Sequence, residues 1–113
     1  MNNDCLFCKI VSGKTPCDKV YEDNDVMAFR DIDPKAPVHI IIIPKRHFST
    51  ILDCQDKDIL GKLIIVSSKL ARSEDISESG FRLIINCNKD GGQAVYHIHL
   101  HLLGGRKFSW PPG

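Results

Sequence analysis

HIHLHLLGG, residues 97–105, alternates His97, His99 and His101 with Ile98, Leu100 and Leu102 and closes on two glycines. A period of two is the pattern of a half-buried strand, on which successive side chains leave opposite faces. The three histidines then share one face, and the aliphatic residues turn to the core from the other. Neighbouring histidines on a strand stand roughly 6.7 Å apart and the outer pair roughly 13 Å. Zinc takes nitrogens at about 2.0–2.1 Å, so a straight strand cannot bring all three to one ion without strain. Neutral imidazole is also a good nucleophile near pH 7 when a neighbour fixes its tautomer. Protonated or donating histidines beside it can hold phosphate oxygens while charge develops. The bland alternative is a strand whose wet face carries histidine with no chemistry attached.

Upstream, Asp90-Gly91-Gly92-Gln93 offers backbone N–H groups that an anion can approach, because glycine leaves room. Taken alone, this is an ordinary hairpin loop. Residues 81–86 read as a strand and 87–93 as the loop after it. Over residues 56–73 the apolar spacing is helical. Ile59, Leu60, Leu63, Ile64, Val66, Leu70 and Ala71 form a broad stripe, with Lys57, Lys62, Lys69 and Arg72 largely outside it. Residues 38–43 form a β-branched run ending at Pro44, expected to be a strand buried on both faces, and they supply a fourth histidine, His39. Asp33-Pro34-Lys35-Ala36-Pro37 is a loop, since its prolines interrupt any ladder. Residues 19–22 and 26–30 read as short strands around the turn Asp23-Asn24-Asp25. Strands around one principal helix predict an α+β domain with a mainly antiparallel sheet, a single domain over residues 1–113.

The 15 basic and 14 acidic residues give a formal charge of +1. They are spread along the chain, so no basic stripe marks a nucleic-acid polymer as partner. MNNDCLFCKI lacks the basic region and long apolar core of a signal peptide. The longest apolar run, residues 40–43, is far too short to span a bilayer, so no membrane partner is expected. A cytoplasmic protein is expected. Cys5, Cys8, Cys17, Cys54 and Cys87 make an odd number, better suited to free thiols or metal ligands than to disulfides in a reducing compartment.

HIHLHLL has the His-φ-His-φ-His-φ-φ form of the histidine triad (HIT) family. FCKIVSGKTP, AFRDIDPKAPVHIIIIPKRH and DGGQAVYHIHLHLLGGRKFSWPPG, with the spacing between them, resemble its Hint branch across essentially the whole chain. That branch comprises purine nucleoside phosphoramidate hydrolases, historically called protein kinase C inhibitor-like proteins. The resemblance implies a HIT-like fold with a five-stranded sheet, two protomers of which pair into one ten-stranded sheet in a homodimer. It implies hydrolysis of purine nucleoside 5′-phosphoramidates or adenylates through a nucleotidyl-histidine, releasing AMP or GMP, with no cofactor needed for the chemistry.

Residue by residue, the resemblance makes His99 the nucleophile and has His101 hydrogen-bond the phosphate and bridging atom. His97 supports the orientation of His99, and His39 joins the cluster from a neighbouring strand. Asp31 matches the ribose-binding acid, whose carboxylate can accept both hydroxyl protons. Ile32, Phe7, Ile10 and Phe29 would wall the base, although core packing explains each of them singly just as well. Asn86, Gly92 and Gln93 match phosphate-side positions. Trp110, followed by Pro111-Pro112-Gly113, would border the partner's leaving-group pocket; anchoring the terminus is its plainer role. Ala94 stands where the Hint pattern often has serine, which removes a hydroxyl from the nucleotide site.

The second departure is Cys5-Leu6-Phe7-Cys8, a Cys-x-x-Cys that not every Hint protein carries. Alone it is a weak signal, with two buried thiols as its plain explanation. Relatives with this spacing complete a structural zinc site with a histidine after the Ile-Pro strand and the first triad histidine, here His47 and His97. Such a set is chemically sound and leaves His99 and His101 for phosphate. Three functions compete: a nucleotidyl hydrolase, a nucleotide-binding regulatory scaffold with weak catalysis, and a zinc-dependent interaction module. The full triad favours the first, Ala94 keeps the second open, and the third leaves His99 and His101 without a purpose.

Overall fold

The computed structural model describes residues 4–113. Its elements run α1 (Leu6–Val11), β1 (Lys19–Glu22), β2 (Val26–Arg30), β3 (Val38–Pro44), a 3-10 turn (Ile51–Asp53), α2 (Lys57–Ser73), β4 (Phe81–Ile85) and β5 (Leu100–Gly104). The strands form one five-stranded sheet in the order β1-β2-β3-β5-β4, with every neighbouring pair antiparallel. This is the α+β architecture with one main helix that the sequence pattern predicts.

The β1–β2 turn is built by Asp23, whose Oδ1 accepts from the backbone N–H groups of Asp25 and Val26 at 2.8 and 2.9 Å. β3 lies in the middle of the sheet and is buried on both faces. Alternation divides it. Ile40 and Ile42 pack with Leu63, Val66, Leu70 and Ala71 of α2, whereas Ile41 and Ile43 pack with Phe7, Cys8 and Ile10 of α1. Fully burying each such aliphatic side chain contributes about 1.5–3 kcal/mol, so β3 is the anchor of both layers. Asp56 caps α2 by accepting from the N–H groups of Asp58 and Ile59.

The structure corrects the sequence reading at three places. Ile64 leaves the apolar stripe of α2 and is 45% exposed, while Ser67 takes a buried position by donating its hydroxyl to the Leu63 carbonyl at 2.7 Å. The strand at the histidine run begins only at Leu100, so His97, in a bend, and His99 lie in the segment leading into β5. The cause is Pro44 at the end of β3. It has no N–H to continue the ladder, and its carbonyl bonds the His97 ring instead. Third, the histidine face is not wet. α1, a helix too short for periodicity to reveal, covers it, and His97 and His99 are 0% and 5% exposed. Among the described residues, no helix is long and apolar enough to cross a membrane.

Candidate active site

Register brings the histidines together. His101 of β5 stands opposite Ile41 of β3, and His39, two residues before Ile41, shares its face. Hydrogen bonds then fix the tautomers. The Lys35 backbone N–H donates to His39 Nδ1 at 3.0 Å, so neutral His39 carries its proton on Nε2. That Nε2 is 2.9 Å from His101 Nδ1 and donates to it, with the Asp31 carboxylate beside it, Oδ2 at 3.4 Å. His101 therefore holds its own proton on Nε2. His99 Nδ1 lies 2.8 Å from the His97 carbonyl and donates to it, which leaves the lone pair on Nε2. The result is one bare imidazole nitrogen next to one N–H donor, their rings 5.0 Å apart between centroids.

Burial lowers the pKa of all four imidazoles, in His97 and His101 to about 4. The neutral forms are the ones present at pH 7. Asp31, His39 and His101 bring their donor atoms within 4.8 Å of one another. A metal there would need the His39 Nε2 lone pair and so a proton on Nδ1, facing the Lys35 N–H that Nδ1 now accepts. His39 and His101 are accordingly a hydrogen-bonded pair with the Asp31 carboxylate beside them.

His99 and His101 line a cavity of about 260 Å³. Of the residues assigned to the nucleotide, Phe7, Ile10 and Phe29 form its apolar wall, Asp31 and Ile32 its rim, and Ala94 also reaches it. Ile32 is fully exposed, so it can fold over a ligand without breaking core contacts. Asn86, Gly92, Gln93 and Trp110 do not line this cavity. The Gln93 side chain is committed elsewhere, accepting from the Asn88 N–H of its own loop and donating to the Val95 carbonyl and, across the fold, to that of Ser49. The glycine pair has a conformational cause. Gly92 has φ +77, and a Cβ on Gly91 would stand 2.5 Å from the Cys87 carbonyl oxygen. Trp110 is 82% exposed at the end of a tail held by Arg82, which donates to the Ser109 carbonyl and stacks on Phe108. Thr15, Cys17 and Val95 also line the cavity. Sequence reading missed them because Thr15 and Val95, although inside the quoted family stretches, carry no group that marks them for nucleotide chemistry, and Cys17 lies just past the first stretch.

A second cluster lies beyond the triad. Cys5, Cys8, His47 and His97 bring one donor atom each within 4.8 Å of the others. His97 Nε2 donates to the Pro44 carbonyl at 2.8 Å, which turns the Nδ1 lone pair toward the two sulfurs. A tetrahedral zinc ion has nitrogen–nitrogen edges of about 3.3–3.4 Å and nitrogen–sulfur edges of about 3.5–3.6 Å. The His47–His97 Nδ1 separation is 3.2 Å, and three nitrogen–sulfur separations are 3.4, 3.4 and 3.6 Å. The donor set fits zinc in identity and spacing, and the Pro44 carbonyl is the outer partner that fixes a ligand's tautomer.

A five-stranded sheet between α1 and α2, with four histidines converging beside an apolar cavity, defines the histidine triad class of protein. Residues 12–108 match the HIT domain family, and the chain belongs to it. It is 50% identical over 108 residues to the purine nucleoside phosphoramidase of Escherichia coli (strain K12), covering 94% of this chain and 91% of that protein. It is 46% identical to the 14 kDa zinc-binding protein of Brassica juncea, over 97% of this chain and all of the relative. The crystal structure of a HIT family hydrolase from Legionella pneumophila Philadelphia 1 superposes with a TM-score of 0.95 at 54% identity, covering 97% of this chain and 100% of that one.

Proposed function

We propose that the chain, as a single domain over residues 1–113, hydrolyses purine nucleoside 5′-phosphoramidates and adenylates. The observation that carries this is the tautomer pair: a bare Nε2 on His99 and a protonated Nε2 on His101, on rings that line the same cavity. His99 Nε2 attacks the α-phosphorus, and a P–Nε2 bond forms as the bond to the leaving nitrogen breaks. The substrate's anionic phosphate draws a solvent proton onto His101, and the imidazolium so formed gives its Nε2 proton to the departing amine, a role worth about 10²–10⁴-fold in rate. Water then attacks phosphorus, its proton returns to His101, and AMP or GMP leaves with His99 restored. His39 and Asp31 steady His101 as it gains and loses charge. Asp31 also faces the ribose hydroxyls, while Phe7, Ile10, Phe29 and Ile32 hold the base. The E. coli relative's name, purine nucleoside phosphoramidase, supports this substrate class.

Cys5, Cys8, His47 and His97 hold a structural zinc in this reading, supported by their spacing and by the name of the Brassica relative. The chemistry on phosphorus uses no cofactor. The working unit is a homodimer acting in the cytoplasm. The wall position of Ala94 supports a second reading, in which nucleotide binding outweighs turnover and the protein regulates. Steady-state hydrolysis of adenosine 5′-phosphoramidate by the wild type and His99→Ala separates them. The enzyme reading expects turnover that nearly vanishes in the variant while AMP still binds. Wild-type rates in His99→Ala would overturn the nucleophile, and negligible wild-type turnover with AMP bound would favour the regulator.

A further inference from the structure

α1 serves two sites at once. Cys5, at its N-cap, and Cys8 place their sulfurs 3.4 and 3.6 Å from His97 Nδ1. Leu6, Phe7 and Ile10 line the nucleotide cavity. A helix of six residues has no stability of its own, since isolated helices shorter than about 12–15 residues are marginal in water. Its position is set by what holds it. Phe7 meets the His99 ring edge-on with centroids 5.1 Å apart, and meets His97 and Phe29 at 5.9 and 5.6 Å. The backbone makes a parallel connection, because the His97 carbonyl accepts the His99 Nδ1 proton.

We infer that metal occupancy of Cys5, Cys8, His47 and His97 is thermodynamically linked to nucleotide occupancy of the cavity, with Phe7 as the positioning residue that carries the link. The inference rests on the zinc reading above. With the ion bound, both cysteines fasten α1 to His97, so the base wall and the His99 ring keep one arrangement. Without it, α1 is retained only by apolar packing and by the weak thiol–imidazole contacts, and it samples detached positions that offer the base no wall. Apparent affinity for nucleotide falls by the fraction of molecules left competent. Linkage is reciprocal, so a nucleotide packed on Leu6, Phe7 and Ile10 tightens zinc by the same factor.

Elemental analysis first gives the zinc stoichiometry, and calorimetry then gives the AMP Kd of zinc-loaded and chelator-stripped protein. The expectation is one zinc per chain and an AMP Kd at least about fivefold weaker after stripping, the lower end of typical coupling. Competition with a chromogenic chelator should show zinc tightening by that same factor when AMP is saturating. Phe7→Leu should keep its zinc and bring both factors close to one. A cobalt(II)-substituted sample needs no metal-free protein: AMP should shift its visible bands in the wild type and leave them unmoved in Phe7→Leu. One zinc per chain with equal AMP Kd in both forms, or cobalt bands indifferent to AMP, overturns the linkage and leaves the metal reading standing. Zinc content far below one equivalent overturns the metal reading and the linkage with it.

Discussion

At the scale of single residues, the site works because each imidazole proton has only one place to go. The Lys35 N–H sets His39, His39 sets His101, and the His97 carbonyl sets His99. Asp31 contributes differently. One carboxylate oxygen accepts the Asp33 N–H at 2.8 Å, and the other lies beside His39 at the cavity rim. Asp31→Asn keeps the side chain's shape but loses the charge that ribose hydroxyls would donate to. Hydrogen bonds to charged groups contribute about 1.5–3 kcal/mol, so AMP should bind roughly 10- to 100-fold more weakly in this variant. Calorimetry with AMP checks this, and an unchanged Kd would remove Asp31 from the ribose site. The period of two at residues 97–102 made the shared histidine face legible in the sequence. The tautomers were not legible, because they depend on two backbone N–H and carbonyl groups brought up by folding. Gln93 misled for a related reason: its amide is consumed by Ser49 and Val95, contacts that no local pattern announces.

Among the elements, β1, β2, β3 and α2 were readable because long β-branched runs, turn residues and helical spacing agree. α1 was not, since six residues complete fewer than two turns and their apolar pattern fits strand and helix alike. That omission hid the most consequential packing in the site, the α1 cover over His97 and His99. The start of β5 was displaced because proline in the partner strand ends the ladder, an effect visible only once the register is known. If Cys5, Cys8, His47 and His97 bind zinc, the ion ties α1 to the sheet and stabilises the folded state by mass action. Chelation should therefore lower Tm in the wild type. Cys5→Ser should begin with a lower Tm and reduced zinc content, and respond less to the chelator. A Tm indifferent to chelation in zinc-containing protein would contradict the structural role.

For the whole molecule, pH and assembly give independent tests. The lowered imidazole pKa values mean that the folded chain resists protonation of groups that take a proton at about 6.5 when unfolded. Between pH 6.5 and about 4 the unfolded state binds more protons, so stability rises with pH across that window. Acidification should reduce the unfolding free energy progressively from pH 6.5 downward, with the histidine contribution levelling off below about 4. Denaturant titrations at intervals of pH check this, and a flat profile between 6.5 and 4 would contradict the buried neutral imidazoles. β4 is an edge of the sheet, and Phe81 on it and Ile64 and Ile65 on α2 are 37%, 45% and 56% exposed. An open edge and exposed aliphatics support the homodimer proposed above. Sedimentation should give twice the chain mass at micromolar concentration, and a monomer there would end the proposal. Deleting residues 108–113 removes Phe108 and the two guanidinium contacts on its ring, exposed interactions worth about 0.5–1 kcal/mol each. Substrate selectivity should change more than folding if Trp110 reaches a partner's pocket, and unchanged selectivity would return Trp110 to a surface anchor.

The central claim is that His99 Nε2 becomes covalently bonded to phosphorus. Acid-quenched single-turnover reactions with adenosine 5′-phosphoramidate, followed by intact-mass analysis and peptide mapping, test it directly. The predicted result is a transient adenylate that forms and decays at rates consistent with steady-state turnover, mapped to His99 and absent from His99→Ala. An adenylate on any other residue, or turnover with none detectable on the millisecond scale, would contradict the account.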